Sequence, residues 1–422
     1  MTVRKPVVYI YGNCQAINIF NLARLIPGFT EDYIVAIHHD NGYFNSSEPI
    51  PIGEALTTCA FFIEQRSRLP SPFDKDSLLA PDCKRASYPF LTCELLWPLY
   101  IDNKQPYPFN NPGNWRSNGD RFLSALQSRS DLTPEKILER YLNIDITSKI
   151  DLDRHHDFYF EQVADLDTHT DVKAAPIIAA NFRQRHLFYD TKHPTPPIMI
   201  TMAKSMFQYF GLPFPFNVRE DPENFSITLP IHPQVREHYH LEWVNPHSRF
   251  GFHSPNAHET NIYLHGERKK DGDYDFVSFI AKHIGLIDAL AVGPEPDLPD
   301  RVKRLQDVLT ISEGIRPPPP MDRAIIHFQD RIRTTIAQCY LRMGVGELGE
   351  ELLTEVTFRN PEYYPALLEL ITYLSSKGKT RTLLPIVKRY LATDSLKHCS
   401  QTEMRTLRIL LDSLCLTTSS PE

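Results

Sequence analysis

The N-terminal part of the chain alternates apolar runs with helical patterns. The run VVYIY at 7–11 predicts a buried strand, and residues 16–26 then repeat apolar positions at the spacing of a helix with one buried face. Further strands are predicted at 32–39, 59–65 and 84–91. Because strands that alternate with helical or loop segments are typical of parallel sheets, the pattern predicts an α/β fold.

The middle of the chain reads mainly as helices. Thr133 and Pro134 are typical of a helix N-cap and first helical position, and residues 175–190 and 196–212 are further helix candidates. In the last of these, apolar residues recur at helical spacing on one face, which predicts core packing rather than a ligand surface. These residues are Met199, Met202, Ala203, Met206 and Phe210.

The C-terminal part changes character after four consecutive prolines. We predict a proline-rich linker at 314–322, because such a run is stiff and extended, and a helical module at 323–422. Gly344 and Gly378 lie 34 residues apart, the length of one tetratricopeptide unit, and the intervening helices resemble that repeat. An unrelated helical cap domain is the alternative. Residues 1–215 are then predicted to form a catalytic domain, with 216–313 as a companion region packed on it.

Composition and charge narrow the class of protein. The chain has 422 residues, 41% of them hydrophobic and 23% charged, which is typical of soluble globular proteins. Its formal net charge is -7, with both signs mixed along the chain, which argues against a nucleic-acid-binding surface. No window approaches the about 20 apolar residues of a membrane helix, and the first apolar run is too short for a signal peptide. The seven cysteines show no spacing that indicates a disulfide framework, so we expect a reducing, cytoplasmic location.

The sequence GNCQ at 12–15 places a thiol at a predicted strand-to-helix turn. The first backbone N–H groups of a helix lack partners, and its dipole favours negative charge there, so a cysteine at this position ionises more readily. The same N–H groups can stabilise an oxyanion. Cys14 is therefore a candidate nucleophile, although a lone cysteine after a strand can equally be a packed, inert thiol.

A second candidate group lies in the segment LFYDTKHPTPP at 187–197. Asp190 and His193 form the pattern D-x-x-H in a loop that prolines fix just before a predicted helix. The carboxylate can then contact the near ring nitrogen, which leaves the other nitrogen for a nucleophile. A helix-capping aspartate beside a surface histidine is the alternative.

Two further segments contain closely spaced histidines and acids. These are DRHHDFYFEQ at 153–162 and REHYHLEW at 236–243, where His238 and His240 would point the same way on a strand. No H-E-x-x-H or comparable ligand spacing is complete, so we expect structural or surface histidines and no metal. The chain also has no phosphate-binding P-loop or dinucleotide fingerprint.

Four sequence blocks together resemble a known family. YGNCQA (11–16), FFIEQRSR (61–68), YPFLTCELLWP (88–98) and LFYDTKHPTPPIM (187–199) resemble, in this order, the WcbI family of polysaccharide-biosynthesis acetyltransferases. The resemblance spans roughly 5–245 and excludes the C-terminal helices. The layout is also similar to SGNH-type esterases and acyltransferases, with cysteine in place of serine. It implies an SGNH- or flavodoxin-like parallel sheet with helical insertions.

The resemblance implies specific chemistry. Acetyl coenzyme A would be the acyl donor and a sugar hydroxyl the acceptor, with Cys14 and His193 as the reacting pair and Asp190 orienting His193. Backbone N–H groups of Asn13 to Gln15, with the side chain of Asn13 or Gln65, would stabilise the oxyanion. Gly12 would permit close approach of the substrate. The phosphates of coenzyme A call for basic residues, for which the candidates are Arg66, Arg183 and Arg185.

These observations predict an O-acetyltransferase of surface-polysaccharide (capsule or exopolysaccharide) assembly. Either His193 deprotonates the sugar hydroxyl directly, or Cys14 first accepts the acyl group. An ester or thioester hydrolase would use the same residues, and a non-catalytic scaffold that binds a sugar or nucleotide is a further alternative. The expected partners are the sugar or polysaccharide acceptor and, at the C-terminal helices, a partner protein or a second copy.

Overall fold

In the computed structural model of the protein, the described residues are 5–67, 71–73, 78–100, 120–214, 229–245, 248–253, 270–286, 297–391, 407 and 409. Parts of the predicted companion region and of the C-terminal module therefore lie outside them. The described strands are β1 (Val7–Gly12), β2 (Ile34–His39), β3 (Phe44–Ser46), β4 (Cys59–Arg66), β5 (Lys84–Pro89), β6 (Phe250–His253) and β7 (Lys270–Tyr274).

Helices surround the sheet and form most of the C-terminal part. In chain order the described helices are α1 (Cys14–Arg24), α2 (Phe29–Asp32), α3 (Ile52–Thr57), α4 (Arg121–Gln127), α5 (Pro134–Leu142), α6 (Leu152–Thr168), α7 (Ala175–Asn181), α8 (Pro196–Tyr209), α9 (Pro233–Tyr239), α10 (Phe276–His283), α11 (Leu298–Gly314), α12 (Met321–Arg342), α13 (Gly346–Arg359), α14 (Tyr364–Ser376) and α15 (Thr380–Leu391). None of these described helices combines the length and apolar character needed to cross a bilayer.

The central sheet has five strands in the order β3-β2-β1-β4-β5, and all but β3 are parallel to β1. The chain goes from β1 to β2 on one side and later returns to β4 on the other. The topological switch point therefore lies between β1 and β4, where α/β sheets typically bind ligands outside the carboxyl ends of the strands. Both faces are covered, by α1 and α8 on one side and by α3 on the other.

The expected α/β fold is present, and the four predicted strands correspond to β1, β2, β4 and β5. The apolar runs of β1 and β2 are fully or nearly buried, as a sheet covered on both faces requires. The short antiparallel strand β3 was missed because its three half-buried residues, FNS, contain no apolar run. The predicted methionine face of α8 is buried.

The helix predicted at 175–190 is shorter than expected. It corresponds to α7, which ends at Asn181, and the chain then forms a turn and an extended loop. Thr195 donates its backbone N–H to the carbonyl oxygen of Leu187 at 2.9 Å, so the segment between them folds back on itself like a hairpin. The prediction was wrong for 182–190 because apolar residues such as Leu187 and Phe188 are buried from a loop.

The proline segment at 314–322 does not separate two hydrophobic cores. Ile315 and Met321 are buried in the same core as the sheet and α8, and so are Phe328 and Ile332 of α12. The N-terminal half of α12 packs on α9, α10 and α11, whereas a second core forms where its C-terminal half meets α13 and α14. The prolines thus form a turn between two helices of one core, which a local composition signal does not reveal.

The C-terminal helices are consistent with the predicted amphipathic pattern, but they establish no repeat. The pair α13 and α14 occupies the 34-residue interval between Gly344 and Gly378. Both glycines have positive φ, 79° and 67°, and each follows the end of a helix, as expected for helix C-termini. The tetratricopeptide assignment remains a prediction.

Candidate functional site

Cys14 is the first residue of α1 and follows the carboxyl end of the central strand β1, beside the switch point of the sheet. Its thiol is free and half-buried. Asn13 is the N-cap of α1, and its side-chain Oδ1 accepts a hydrogen bond from the backbone N–H of Gln15 at 2.9 Å. The cysteine therefore occupies the first position of the helix, as the sequence predicted.

Gly12 is required at this turn by close contact. A Cβ atom on this residue would lie only 2.6 Å from Cβ of Gln65 on the neighbouring strand β4. The close approach brings the turn against Gln65, whose Oε1 accepts the backbone N–H of Asn13 at 2.9 Å. Gly12 was predicted to permit close approach of the substrate, but in the structure the group that approaches it closely is Gln65 of β4.

The side chains of Gln15 and Gln65 form a connected network behind the turn. Gln65 donates through Nε2 to Oε1 of Gln15 at 2.7 Å, and that oxygen also accepts the backbone N–H of Leu91 at 3.1 Å. Gln15 in turn donates through Nε2 to the carbonyl oxygens of Leu91 and Lys192, at 2.7 and 2.9 Å. The Gln15 side chain is only 1% exposed. These amides hold protein segments together, so the predicted oxyanion contact through the Gln65 side chain is not what the structure favours.

The backbone N–H groups of the turn are mostly occupied as well. Asn13 donates to Gln65, Gln15 donates to the Asn13 side chain, and the N–H of Ala16 donates to the carbonyl oxygen of Asn13 at 2.9 Å. Within the described part of the chain, the N–H of Cys14 and the Nδ2 of Asn13 have no such partner. Of the three backbone N–H groups predicted to stabilise the oxyanion, only that of Cys14 is therefore available, together with the side-chain Nδ2 of Asn13.

Asp190 and His193 form a buried pair in the hairpin-like loop before α8. Oδ1 of Asp190 accepts the backbone N–H groups of Lys192 and His193 at 2.8 and 2.9 Å, which fixes the carboxylate. The ring Nδ1 of His193 lies 2.7 Å from both carboxylate oxygens. Because a carboxylate only accepts, Nδ1 carries the proton, and Nε2 is the ring atom that can accept one. Asp190 is 4% exposed.

Hydrogen bonds connect the segment of Cys14 directly to the segment of His193. Gln15 follows Cys14, Lys192 precedes His193, and the Gln15 side chain donates to the carbonyl oxygen of Lys192. The segment after β5 joins both, because Leu91 bonds to Gln15 and the N–H of Cys93 donates to the carbonyl oxygen of Thr191 at 2.9 Å. The structure therefore brings the two predicted reactive residues onto adjoining, mutually fixed segments.

Tyr88 is a residue of this region that the sequence analysis did not single out. It lies on β5 directly opposite Gln65 of β4 and is completely buried. Its hydroxyl has no hydrogen-bond partner among the described residues. Burial, followed by the charge of the nearby Cys14 thiol, raises the pKa of Tyr88 well above its usual value. The only sequence signal was its position at the carboxyl end of a strand, within the block YPFLTCELLWP.

The predicted phosphate-binding arginines differ in their surroundings. Nε of Arg66 lies 2.8 Å from Oε2 of the buried Glu64, so this charge is already paired. Arg183 is exposed; its Nε donates to the carbonyl oxygen of Tyr239 at 3.2 Å, and its guanidinium stacks on Phe182. Arg185 is exposed in the turn after α7. Their role toward coenzyme A remains a prediction.

The two histidine-rich segments are helical rather than extended. Residues 153–162 lie in α6, and 236–243 include the end of α9, where His240 adopts a left-handed conformation. The alternation that would align His238 with His240 on a strand is therefore absent. His238 Nε2 contacts Oδ1 of Asp153 at 3.0 Å. The described residues contain no group of three or more His, Cys, Asp or Glu side chains placed to hold a metal ion.

Comparison with known proteins identifies a family for the N-terminal half of the chain. Residues 7–215 match the family model described as the polysaccharide biosynthesis enzyme WcbI. A solved structure of WcbI, described as a novel polysaccharide biosynthesis enzyme in its native form without a disulfide bond between coenzyme A and a cysteine, is similar at a TM-score of 0.47 and 15% identity. The similarity covers 78% of this chain and 99% of that chain. No curated protein matches the chain.

Proposed function

Because residues 7–215 belong to the WcbI family of polysaccharide biosynthesis enzymes, we propose that the chain is an O-acetyltransferase that moves an acetyl group from acetyl coenzyme A to a sugar hydroxyl. The observation that carries this proposal is the hydrogen bond from Gln15 to Lys192. It fixes the helix N-terminus that bears Cys14 against the loop in which Asp190 orients His193.

The chemistry assigned to these residues begins with proton transfer. His193 accepts the proton of the Cys14 thiol at Nε2, while Asp190 stabilises the resulting imidazolium through Nδ1. The thiolate attacks the thioester carbonyl carbon, and the bond between that carbon and the coenzyme A sulfur breaks. Coenzyme A leaves with the proton from His193, and an acetyl thioester remains on Cys14.

The second half-reaction transfers the acetyl group to the sugar and returns the enzyme to its starting state. His193 removes the proton of a sugar hydroxyl, whose oxygen attacks the acetyl carbon on Cys14. The carbon–sulfur bond breaks, the sugar ester leaves, and the thiolate is regenerated to take the proton from His193. Direct attack of the sugar on acetyl coenzyme A, with His193 as base and no acetyl-cysteine, is the competing route.

Three donors are available for the tetrahedral oxyanion of each step. The N–H of Cys14 and the side-chain Nδ2 of Asn13 lie at the turn. The third donor is the buried hydroxyl of Tyr88 on β5; burial raises the pKa of Tyr88, and the Cys14 thiol is near enough to raise it further. A donor that is already desolvated and unpaired needs no reorganisation when the oxyanion forms. We therefore include Tyr88 in the reactive centre.

The experiment that tests the function follows the release of free coenzyme A. Full-length protein is incubated with acetyl coenzyme A, with and without a panel of sugar acceptors, beside the Cys14→Ala and His193→Ala variants. Release beyond one equivalent per enzyme that requires an acceptor and is lost in both variants supports the transferase. Equal release without an acceptor indicates a hydrolase, and no release under any condition indicates a non-catalytic binding protein. The cytoplasmic location and a partner at the C-terminal helices stay predictions.

A further inference from the structure

A cavity of about 60 Å³ lies beside the loop that carries Asp190 and His193. Its walls come from residues 96–100, the segment 229–232 and helices α4, α5 and α10. The segment 229–232 is attached to the loop, because the N–H of Leu229 donates to the carbonyl oxygen of Tyr189 at 2.8 Å. A single water needs about 10–15 Å³ on this measure, so the space admits a group of several atoms.

The cavity wall is mostly apolar and aromatic. Phe276 packs edge-on against His232 with 5.1 Å between ring centroids and stacks with Tyr141 at 6.5 Å. Leu99, Leu123 and Ile280 complete the apolar lining. None of the residues that line it is a lysine or an arginine.

The acidic residue of the lining is already committed to the protein. Oδ1 of Asp120 caps α4 by accepting the backbone N–H groups of Phe122 and Leu123, both at 2.9 Å. Oδ2 accepts the hydroxyl of Tyr141 at 2.5 Å. Asp120 therefore supplies structure, and it is not a spare acceptor for a ligand.

Two N–H donors of the lining, by contrast, have no acceptor. Among the residues that the structure describes, Nε1 of Trp97 is buried without a hydrogen-bond partner. Nδ1 of His232 accepts the backbone N–H of Gln234 at 3.2 Å, which is possible only if Nδ1 carries no proton. The neutral ring then has its proton on Nε2, for which the described residues offer no acceptor. A buried donor without a partner, as Nε1 of Trp97 is, is rare in folded proteins and indicates a ligand or water that is bound there.

We propose that this cavity binds an uncharged, mostly apolar group that carries a carbonyl oxygen, with Trp97 and His232 as its hydrogen-bond donors. An acyl chain and the amide-containing arm of an acyl thioester both have this chemistry, and the assignment to the acyl donor rests on the proposed function. The absence of lysine and arginine from the lining argues against a phosphate, and the mostly apolar wall argues against a hydroxyl-rich sugar.

The binding experiment uses the indole ¹H–¹⁵N signal of Trp97 in the full-length protein. The chain has three tryptophans, so the spectrum of Trp97→Phe identifies this signal. The probes are pantetheine, which carries the amide arm, butanamide, which represents an acyl group, and butanoate, which is similar in size but charged. A saturable shift with pantetheine identifies the arm, a shift with butanamide identifies the acyl group, and butanoate should cause none. If neither neutral probe moves the signal, or if butanoate moves it equally, the inference is wrong.

The kinetic experiment compares two tryptophan variants. Trp97→Phe keeps the aromatic ring and removes the unpaired donor, so we expect the KM for the acyl donor to rise about tenfold with little change in kcat. Trp243→Phe is the matched control, because its Nε1 already donates to the carbonyl oxygen of Phe182 at 2.8 Å, away from the cavity. This control should lower stability without changing KM.

The outcomes separate this inference from the proposed function. If Cys14→Ala stops acetyl transfer while Trp97→Phe leaves the KM unchanged, the cavity assignment fails and the transferase stands. If Trp97 responds to pantetheine while Cys14→Ala retains full activity, the cavity assignment stands and the proposed role of Cys14 fails.

Discussion

The polar groups around Cys14 fall into two sets, those with hydrogen-bond partners inside the protein and those without. The amides of Gln15 and Gln65 bond to one another and to three backbone segments, so they are satisfied within the protein. The hydroxyl of Tyr88 is completely buried and has no partner within the described part of the chain. Because an unpaired buried donor costs stability, the first set is expected to maintain the fold, and the second to contribute to binding or catalysis.

The largest expected effect is on proton transfer. His193→Ala should lower acetyl transfer about 10³-fold, because general base catalysis by a positioned histidine typically contributes 10²–10⁴-fold. The measurement is the initial rate of acceptor-dependent coenzyme A release. His169→Ala is the control, because His169 is exposed at the end of α6. Similar rates for both variants would remove His193 from the reaction.

Tyr88→Phe sharpens the comparison by removing one unpaired hydroxyl and nothing else. We expect kcat to fall about 10²-fold, as when one oxyanion donor is lost, while thermal stability stays the same or rises. Parallel measurements of kcat and of the melting temperature check both parts. A lower melting temperature with unchanged kcat would show that Tyr88 is structural.

Gln15→Ala tests the set of amides that are hydrogen-bonded within the protein. The substitution leaves the Leu91 backbone groups, the Lys192 carbonyl and Nε2 of Gln65 without their partner. We expect a loss of about 2–4 kcal/mol in the free energy of unfolding, measured by chemical denaturation. Activity should fall as well, because the segments of Cys14 and His193 are no longer joined. Full stability in this variant would mean that the network is dispensable.

The smallest expected effect concerns pH. Burial lowers the pKa of His232 to about 3, whereas in the unfolded chain it is about 6.5. Between these values the unfolded state binds the extra proton, so this residue lowers stability as the pH falls below 6.5. In His232→Gln, the loss of unfolding free energy between pH 7 and pH 5 should be smaller by about 2 kcal/mol. An unchanged pH dependence would show that His232 is protonated in the folded protein, which would contradict a neutral cavity.

Much of the fold could be predicted from the sequence because the relevant signals are local. The strands β1 and β2 are buried almost throughout, so each leaves a continuous apolar run. The contact between Asp190 and His193 is also local, since they lie only three positions apart along the chain. Cys14 could be identified because a strand followed directly by a helical pattern defines the turn.

The parts that were missed depend on contacts between distant residues. The partners of Gln15 lie 76 and 177 positions away, so no pattern around Gln15 distinguishes a connector from an oxyanion ligand. Tyr88 could not be identified because its position near Cys14 depends on the register between β4 and β5, which places it opposite Gln65. The proline segment was read as a boundary because composition does not show that Ile315 and Met321 enter the same core as the sheet.

The central claim is that Cys14 carries the acetyl group, and peptide mass spectrometry tests it most directly. Full-length protein is incubated with acetyl coenzyme A without acceptor, quenched in acid and digested. The account predicts one acetyl group on the peptide that contains Cys14, and its disappearance when a sugar acceptor is added before quenching. An unmodified Cys14 peptide, together with full acetyl transfer by Cys14→Ala, would contradict the account.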